Sequence, residues 1–211
     1  MKLYFTRHGK TQWNQEKRFQ GMGGDSPLLA ESYAEIKALG KAIKEVPFEK
    51  IYSSTSKRAS DTAQGILAEL NEPVEIVYTD DLRELGLGSL EGQLIEEIRK
   101  THGENLDNLR HHLEKYDPTP FGAEPMEHAI ARIESVVRKA VSEASEGPLL
   151  FVGHGAALTA AIQSMVGKPL EELRAAGGLL NSSLTILETN EADVDGPYQM
   201  KLWNDVCFLE K

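Results

Sequence analysis

Arg7 and His8 stand together at the end of a short apolar run, Lys2 to Phe5, and Gly9 follows them directly. An imidazole can attack phosphorus, a guanidinium can grip two phosphoryl oxygens at once, and a glycine lets backbone amides approach an anion. The chemistry these three residue types share is that of a phosphate. A second run of the same design lies far along the chain, where Leu149-Leu150-Phe151-Val152 stops against Gly153-His154-Gly155. Arg58 follows the stretch Phe48 to Ser53 and falls in the first turn of a helical segment. A cation in that position is opposed by the helix dipole, so a bound anion explains it better than the helix does.

Arg7 and Arg58 together can neutralise a phosphate monoester dianion while leaving phosphorus open to attack. The two histidines invite a division of labour: one neutral as nucleophile, the other protonated beside the anion to stabilise the phosphoryl group in transfer. An acid must then protonate the departing alkoxide. Glu84, set among Gly86, Gly88 and Gly92, is the candidate, and the same carboxylate could later activate water against a phosphohistidine.

The elements that must gather these residues are legible in the periodicity. Strands are predicted over 2–6, 48–53, 74–78, 149–152, 183–188 and 198–206, the last two separated by the acidic turn Glu191 to Gly196. Helices are predicted over 28–44, with Leu29, Tyr33, Ile36, Gly40 and Ile43 on one face, and over 57–70, with Ala59, Ala63, Ile66 and Leu70 as its stripe. A short helix is predicted over 96–100, then a long one over 124–144 through Met126, Ile130, Ile133, Val137, Ala140 and Ala144, and a last one from Leu158 to Met165. Between them, the polar segment from about 101 to 121 ends in Asp117-Pro118-Thr119-Pro120 and belongs to an insertion, about 93–125, that could lie over the site. Strands alternating with helices imply a single three-layer α/β domain, residues 1–211, with a mostly parallel sheet covered by helices on both faces. The site is expected at the carboxyl ends of the strands.

The 211 residues suit one domain, and 40% hydrophobic with 27% charged residues is an ordinary globular balance. No apolar run approaches the roughly 20 residues of a bilayer span, so no membrane partner is expected. The net charge of -10 argues against a nucleic-acid surface. Met1-Lys2-Leu3 enters the first strand without the pattern of a secretory signal, which makes the cytoplasm the expected compartment. Cys207, the one cysteine, is expected to be a small buried hydrophobe. A homodimer is left open.

Four blocks in order resemble the histidine phosphatase superfamily in its phosphoglycerate mutase-like branch. They are Arg7-His8-Gly9-Lys10-Thr11 with Trp13-Asn14, then Ser56-Lys57-Arg58-Ala59 with Thr62-Ala63, then Leu82-Arg83-Glu84 with Gly88 and Glu91-Gly92, and finally Val152-Gly153-His154-Gly155. The resemblance implies a helix-flanked sheet, no metal, no cofactor and transient phosphorylation of the first histidine. Carried over by position, His8 resembles the nucleophile and Glu84 the proton donor. Arg7, Arg58 and His154 resemble the rest of the phosphate pocket, while Asn14, Gln20, Gly21, Gly155 and the backbone after His154 would also contact substrate. Two departures are local. Leu29-Ala30-Glu31-Ser32 replaces a usual Leu-Thr opening, and Ala123-Glu124-Pro125 stands for Gly-Glu-Ser, with Arg132 further along the same helix.

The mutases of this branch follow their catalytic glutamate with an arginine and a tyrosine and carry an arginine pair in the insertion. Here Leu85-Gly86-Leu87 follows Glu84, and the insertion offers only scattered bases at Arg99, Lys100, Arg110 and Lys115. The expected activity is therefore hydrolysis of phosphate monoesters of small metabolites, with a cofactor-dependent phosphoglycerate mutase as the alternative. A non-catalytic phospho-ligand binder would not need His8, His154 and Glu84 together. A metallohydrolase could use Glu124 with His128, or His111 with His112, although a solvated helical pair and exposed loop histidines account for them more simply.

Overall fold

The computed structural model describes residues 1–145, 147–189 and 196–209. Six strands form one sheet: β1 (Lys2–Arg7), β2 (Lys50–Ser54), β3 (Ile76–Thr79), β4 (Leu149–Gly153), β5 (Leu184–Glu188) and β6 (Gln199–Asp205), in the order β3-β2-β4-β1-β5-β6. The first four run parallel, and β5 pairs antiparallel with both β1 and β6. The helices are α1 (Gln12–Gln15), α2 (Ala30–Ala42), α3 (Lys57–Leu67), α4 (Ile95–His111), α5 (Met126–Glu143) and α6 (Ala156–Met165).

The period-two alternation of the central strands divides the core. Leu3 and Phe5 of β1, with Leu149 and Phe151 of β4, pack under α5 and α6. Tyr4, Leu150 and Val152 face α2 and α3. Phe151 is stacked between Phe5 and Tyr52, at ring-centroid distances of 5.0 and 5.3 Å, so β2, β4 and β1 are locked side by side. The parallel strands therefore deliver their carboxyl ends to one edge, where Arg7, Ser54 and Gly153 are the last residues of β1, β2 and β4. His8 donates its amide to the Gly153 carbonyl at 3.0 Å, which extends the ladder one step into the site.

Several boundaries and faces depart from the sequence reading. Tyr33 is 55% exposed, because the buried stripe of α2 runs through Ser32, Ile36, Leu39 and Gly40 instead. A serine in that stripe is satisfied by donating to the Lys10 carbonyl, at 2.7 Å, which is why a hydroxyl can take the place expected of an apolar residue. Helix α3 ends at Leu67, before Leu70. The helix predicted over 96–100 runs on into the polar segment: α4 continues to His111 through Ile95, Ile98, Leu106 and Leu109, bending at His102, where φ is -131°. Its polar residues cover the outer face, and the apolar spacing survives across the bend. Cys207 is exposed rather than buried, since it sits in a turn after the edge strand β6, where its thiol lies 2.6 Å from Asp205 Oδ1. The acidic turn expected at 191–196 lies outside the described residues except for Gly196. Among the described residues, no helix is long and apolar enough to cross a membrane.

Candidate active site

His8 and His154, from the ends of β1 and β4, lie with ring centroids 5.3 Å apart. His8 is 3% exposed, while His154 and Arg58 are each 1% exposed. Burial, then the charges of Arg58 and Arg7, hold the His8 imidazole well below its ordinary value of 6.5, with the Gly9 hydrogen bond only partly opposing them. Burial and the neighbouring Arg58, His8 and Arg7 depress His154 in the same direction. Both rings are thus neutral at pH 7 in the free site, before any anion is bound.

The hydrogen bonds assign the tautomers. His8 Nδ1 is 2.7 Å from the Gly9 carbonyl, which can only accept, so Nδ1 carries the proton and Nε2 presents a lone pair. His154 Nε2 is 2.8 Å from Ser54 Oγ. With that hydroxyl, which accepts the Ser56 amide at 3.2 Å, giving its own proton to Nε2, the ring proton of His154 lies on Nδ1. Nδ1 of His154 is buried without a partner, and so are Nε of Arg7 and Nε of Arg58. In that tautomer three buried donors surround a neutral nucleophile and form a receptor for an anion.

Each arginine is fixed by the backbone before any ligand arrives. Arg7 Nη1 donates to the Leu179 carbonyl at 2.8 Å. Arg58 donates to the carbonyls of Gly24 (2.7 Å) and Gly21 (3.1 Å) and to Asp25 Oδ1 (3.1 Å). Asp25, which sequence reasoning passed over, also accepts the Lys57 amide at 2.7 Å and so caps α3 from outside, supplying the cap that the Ser56 side chain does not. Gly155 is needed for room: a Cβ there would stand 3.1 Å from Cζ and Nε of Arg7.

Glu84, 7% exposed, follows β3 through a short 3-10 turn and is fixed by three amides. Its Oε1 accepts from Leu85 and Ala157, both at 2.8 Å, and its Oε2 accepts from Ala156 at 2.9 Å. The backbone after His154, expected to support the phosphate, therefore orients the carboxylate and starts α6. Gly9 also departs from its expected use. Its amide is bound to Thr62 Oγ1 at 3.0 Å, and its missing side chain admits Ile36 of α2 instead of an anion.

A cavity of about 550 Å³ opens over these residues, lined by Arg7, Glu84, Asn14, Gln20 and Gly155 among others. His8, Arg58 and His154 are buried and are not in the lining, which Arg7 next to His8 reaches. Asn14 turns its carbonyl oxygen to the Thr11 amide at 3.1 Å, which leaves its NH2 group to donate into the cavity. Gln20 is anchored on Thr11 and Ser26. Gly21 is placed differently again. Its amide is taken by Glu91 and its carbonyl by Arg58, so it acts by positioning Arg58. Glu124, one of the metal-binding candidates, is committed to Arg132 and the Gly86 amide.

The sequence matches the histidine phosphatase superfamily (branch 1) over residues 3–206. The chain belongs to that superfamily. Among its relatives, the fructose-2,6-bisphosphatase TIGAR of Xenopus tropicalis is 33% identical over 135 residues, covering 62% of this chain but only 46% of the relative. The probable phosphoglycerate mutase GpmB of Escherichia coli O1:K1 is 31% identical over 173 residues, 80% of this chain and 76% of the relative. Of solved structures, Bacillus stearothermophilus YhfR superposes with a TM-score of 0.89 at 30% identity, covering 99% of this chain and 98% of that one. The superfamily architecture thus extends to the whole of this chain.

Proposed function

We propose that this histidine phosphatase superfamily member hydrolyses phosphate monoesters of small metabolites through a phosphohistidine. The observation that carries the reading is His8, a neutral imidazole with Nδ1 tied to a carbonyl and Nε2 free, beside three buried donors that have no partner in the protein. Nε2 of His8 attacks phosphorus as the ester P–O bond breaks. The phosphoryl oxygens are received by Arg7, Arg58 and the neutral Nδ1–H of His154, and Glu84 in its acid form gives a proton to the leaving oxygen. Glu84, now a carboxylate, takes a proton from water as that water attacks phosphorus and the P–N bond breaks. Inorganic phosphate leaves and His8 is neutral again.

A mutase would instead keep the phosphoryl group on His8 until an acceptor hydroxyl arrives, and the likeness to GpmB keeps that outcome in the test. Phosphorus NMR of the protein with a panel of monoesters, including 3-phosphoglycerate with a trace of its bisphosphate, separates the two. Growth of inorganic phosphate from one or a few esters is expected. Appearance of 2-phosphoglycerate without phosphate release would replace the reading.

A further inference from the structure

The cavity is far more cationic than a single phosphate requires. In a protein of net charge -10, its lining includes Arg7, Arg18, Arg99, Arg110 and Arg174, whereas Glu84 is the one carboxylate there. The bases that looked scattered along the sequence are brought together by α4 and by the turn after α6. Two of the five are already spoken for, since Arg18 pairs with Glu16 at 2.6 Å and Arg99 with Asp107 at 2.7 Å. Arg174 is different. Its Nη1 is buried with no partner, although its Nε reaches the Arg110 carbonyl at 3.4 Å. Burial lowers its basicity, with Glu84 opposing that effect and Arg110 adding to it, so both charges act on the guanidinium.

The segment that carries Arg174 is pinned. Trp203 Nε1 donates to the Ala176 carbonyl, Asn204 Nδ2 to Gly178, and Leu179 donates its amide to Thr159 Oγ1. Leu179 in turn holds Arg7, so Arg174 and the phosphate-binding arginine share one rigid strap. A half-buried guanidinium that lines the cavity and keeps one buried nitrogen without a partner, on a pinned strap, is a candidate anion site. The same cavity also carries an apolar lining of Leu85, Leu87, Ile95, Leu106 and Leu109.

Resting on the proposed phosphatase reading of the same site, we infer that Arg174 binds a second acidic group of the substrate. The preferred substrates are then phosphate monoesters with an apolar body that ends in a carboxylate or a second phosphate. Arg110, in the lining of the same cavity, adds charge to that subsite.

The test measures binding and turnover separately. Calorimetry compares benzylphosphonate with 4-carboxybenzylphosphonate, which have no ester bond to hydrolyse. The wild type should bind the carboxylated ligand about tenfold more tightly, in line with one charge-assisted contact. Arg174→Ala should bring that ratio to about one, Arg174→Lys should keep part of it, and Arg174→Glu should reverse it. Because each ratio is taken within one protein preparation, a partly folded variant does not distort it. No preference in the wild type, or a preference that survives Arg174→Ala, would overturn the inference. Phosphate release by the wild type from the whole monoester panel, with 4-carboxyphenyl phosphate added, is read alongside. Its absence would sink the phosphatase reading and leave the binding ratio to judge Arg174 by itself.

Discussion

Arg132 of α5 grips Glu124 with Nε on Oε1 at 2.9 Å and Nη2 on Oε2 at 3.0 Å, and the same guanidinium reaches the carbonyls of Asp81, Arg83 and Glu84 at 2.7, 2.7 and 2.9 Å. Glu124 completes the clamp by accepting the Gly86 amide at 3.0 Å. The loop that carries Glu84 is therefore held to α5 by one arginine. Arg132→Ala should cost about 3 kcal/mol of stability, as when one partner of a largely buried pair is removed, and should lower kcat more than KM because Glu84 loses its placement. Urea unfolding and steady-state kinetics on one substrate check both. A stability loss with kcat intact would show that the clamp is structural only.

The clamp also has a pH signature. Burial works to raise the Glu124 carboxyl, but its hydrogen bonds from Arg132 and Gly86 and the Arg132 charge outweigh that and hold it below its ordinary 4.5. A depressed carboxylate adds stability above its unfolded value, and that stability is lost as pH falls through the lower folded value. Glu124→Gln should thus be less stable than the wild type at pH 7, with the gap closing below about pH 4.5. A gap independent of pH would mean the charge plays no part.

The histidines lower stability in the same direction of pH but over a higher range. Unfolding frees both imidazoles to take protons from about pH 6.5 downward, whereas the folded site keeps them neutral. The unfolded chain then binds more protons, so stability falls as pH drops below 6.5 toward the depressed folded values. Denaturation midpoints at pH 7.5 and 5.5 should differ more for the wild type than for His8→Asn/His154→Asn. Equal differences would show that the rings titrate freely.

Ser54 is expected to set the tautomer of His154. In Ser54→Ala the proton of His154 is no longer directed to Nδ1, and nitrogen-15 shifts of the ring should move toward a mixture of tautomers while kcat falls about tenfold. If the wild-type ring carried its proton on Nε2, or if the shifts did not change in the variant, the assignment would be wrong.

These cases show what a linear reading reaches. His8, Arg58 and His154 were legible because each sits where an apolar run or a helix start makes its type anomalous, and strand alternation gave the sheet that unites them. Ser54, Asp25 and Arg174 carry no such anomaly: a serine before a helix, an aspartate in a glycine turn and an arginine in a charged segment are ordinary in sequence. Their roles come from parallel strands and a folded-back strap that place residues up to a hundred positions apart in contact, as with Ser54 and His154. The α4 helix was read only as far as residue 100, for another reason. Polar residues on its outer face and Gly103 near the His102 bend mask an apolar stripe that only packing reveals.

Gly155→Ala tests room rather than chemistry. The added methyl would crowd Arg7 at 3.1 Å, but a guanidinium is the far end of a flexible chain and can move aside. Stability should change little while kcat/KM drops about tenfold or more through a displaced phosphate ligand. A thermal melt beside the kinetics decides it, and an unchanged rate would mean that Arg7 keeps its place or is not needed there.

Glu84→Gln separates two roles that one carboxylate fills. As an amide it keeps an oxygen for two of the three backbone donors, Leu85 and Ala157, but turns an NH2 toward the third, Ala156, so orientation is partly preserved. What it loses fully is the proton for the leaving oxygen. An alkyl phosphate, whose leaving group is strongly basic, should slow by about a hundredfold or more, whereas 4-nitrophenyl phosphate, which needs little protonation, should slow far less in the phosphorylation of His8. That step is read as the rate of His8 phosphorylation in rapid-quench experiments, since the later attack of water also uses Glu84 and would mask the difference in the steady state. Equal slowing of the two esters in that step would leave Glu84 a cap for α6 and remove it as the acid.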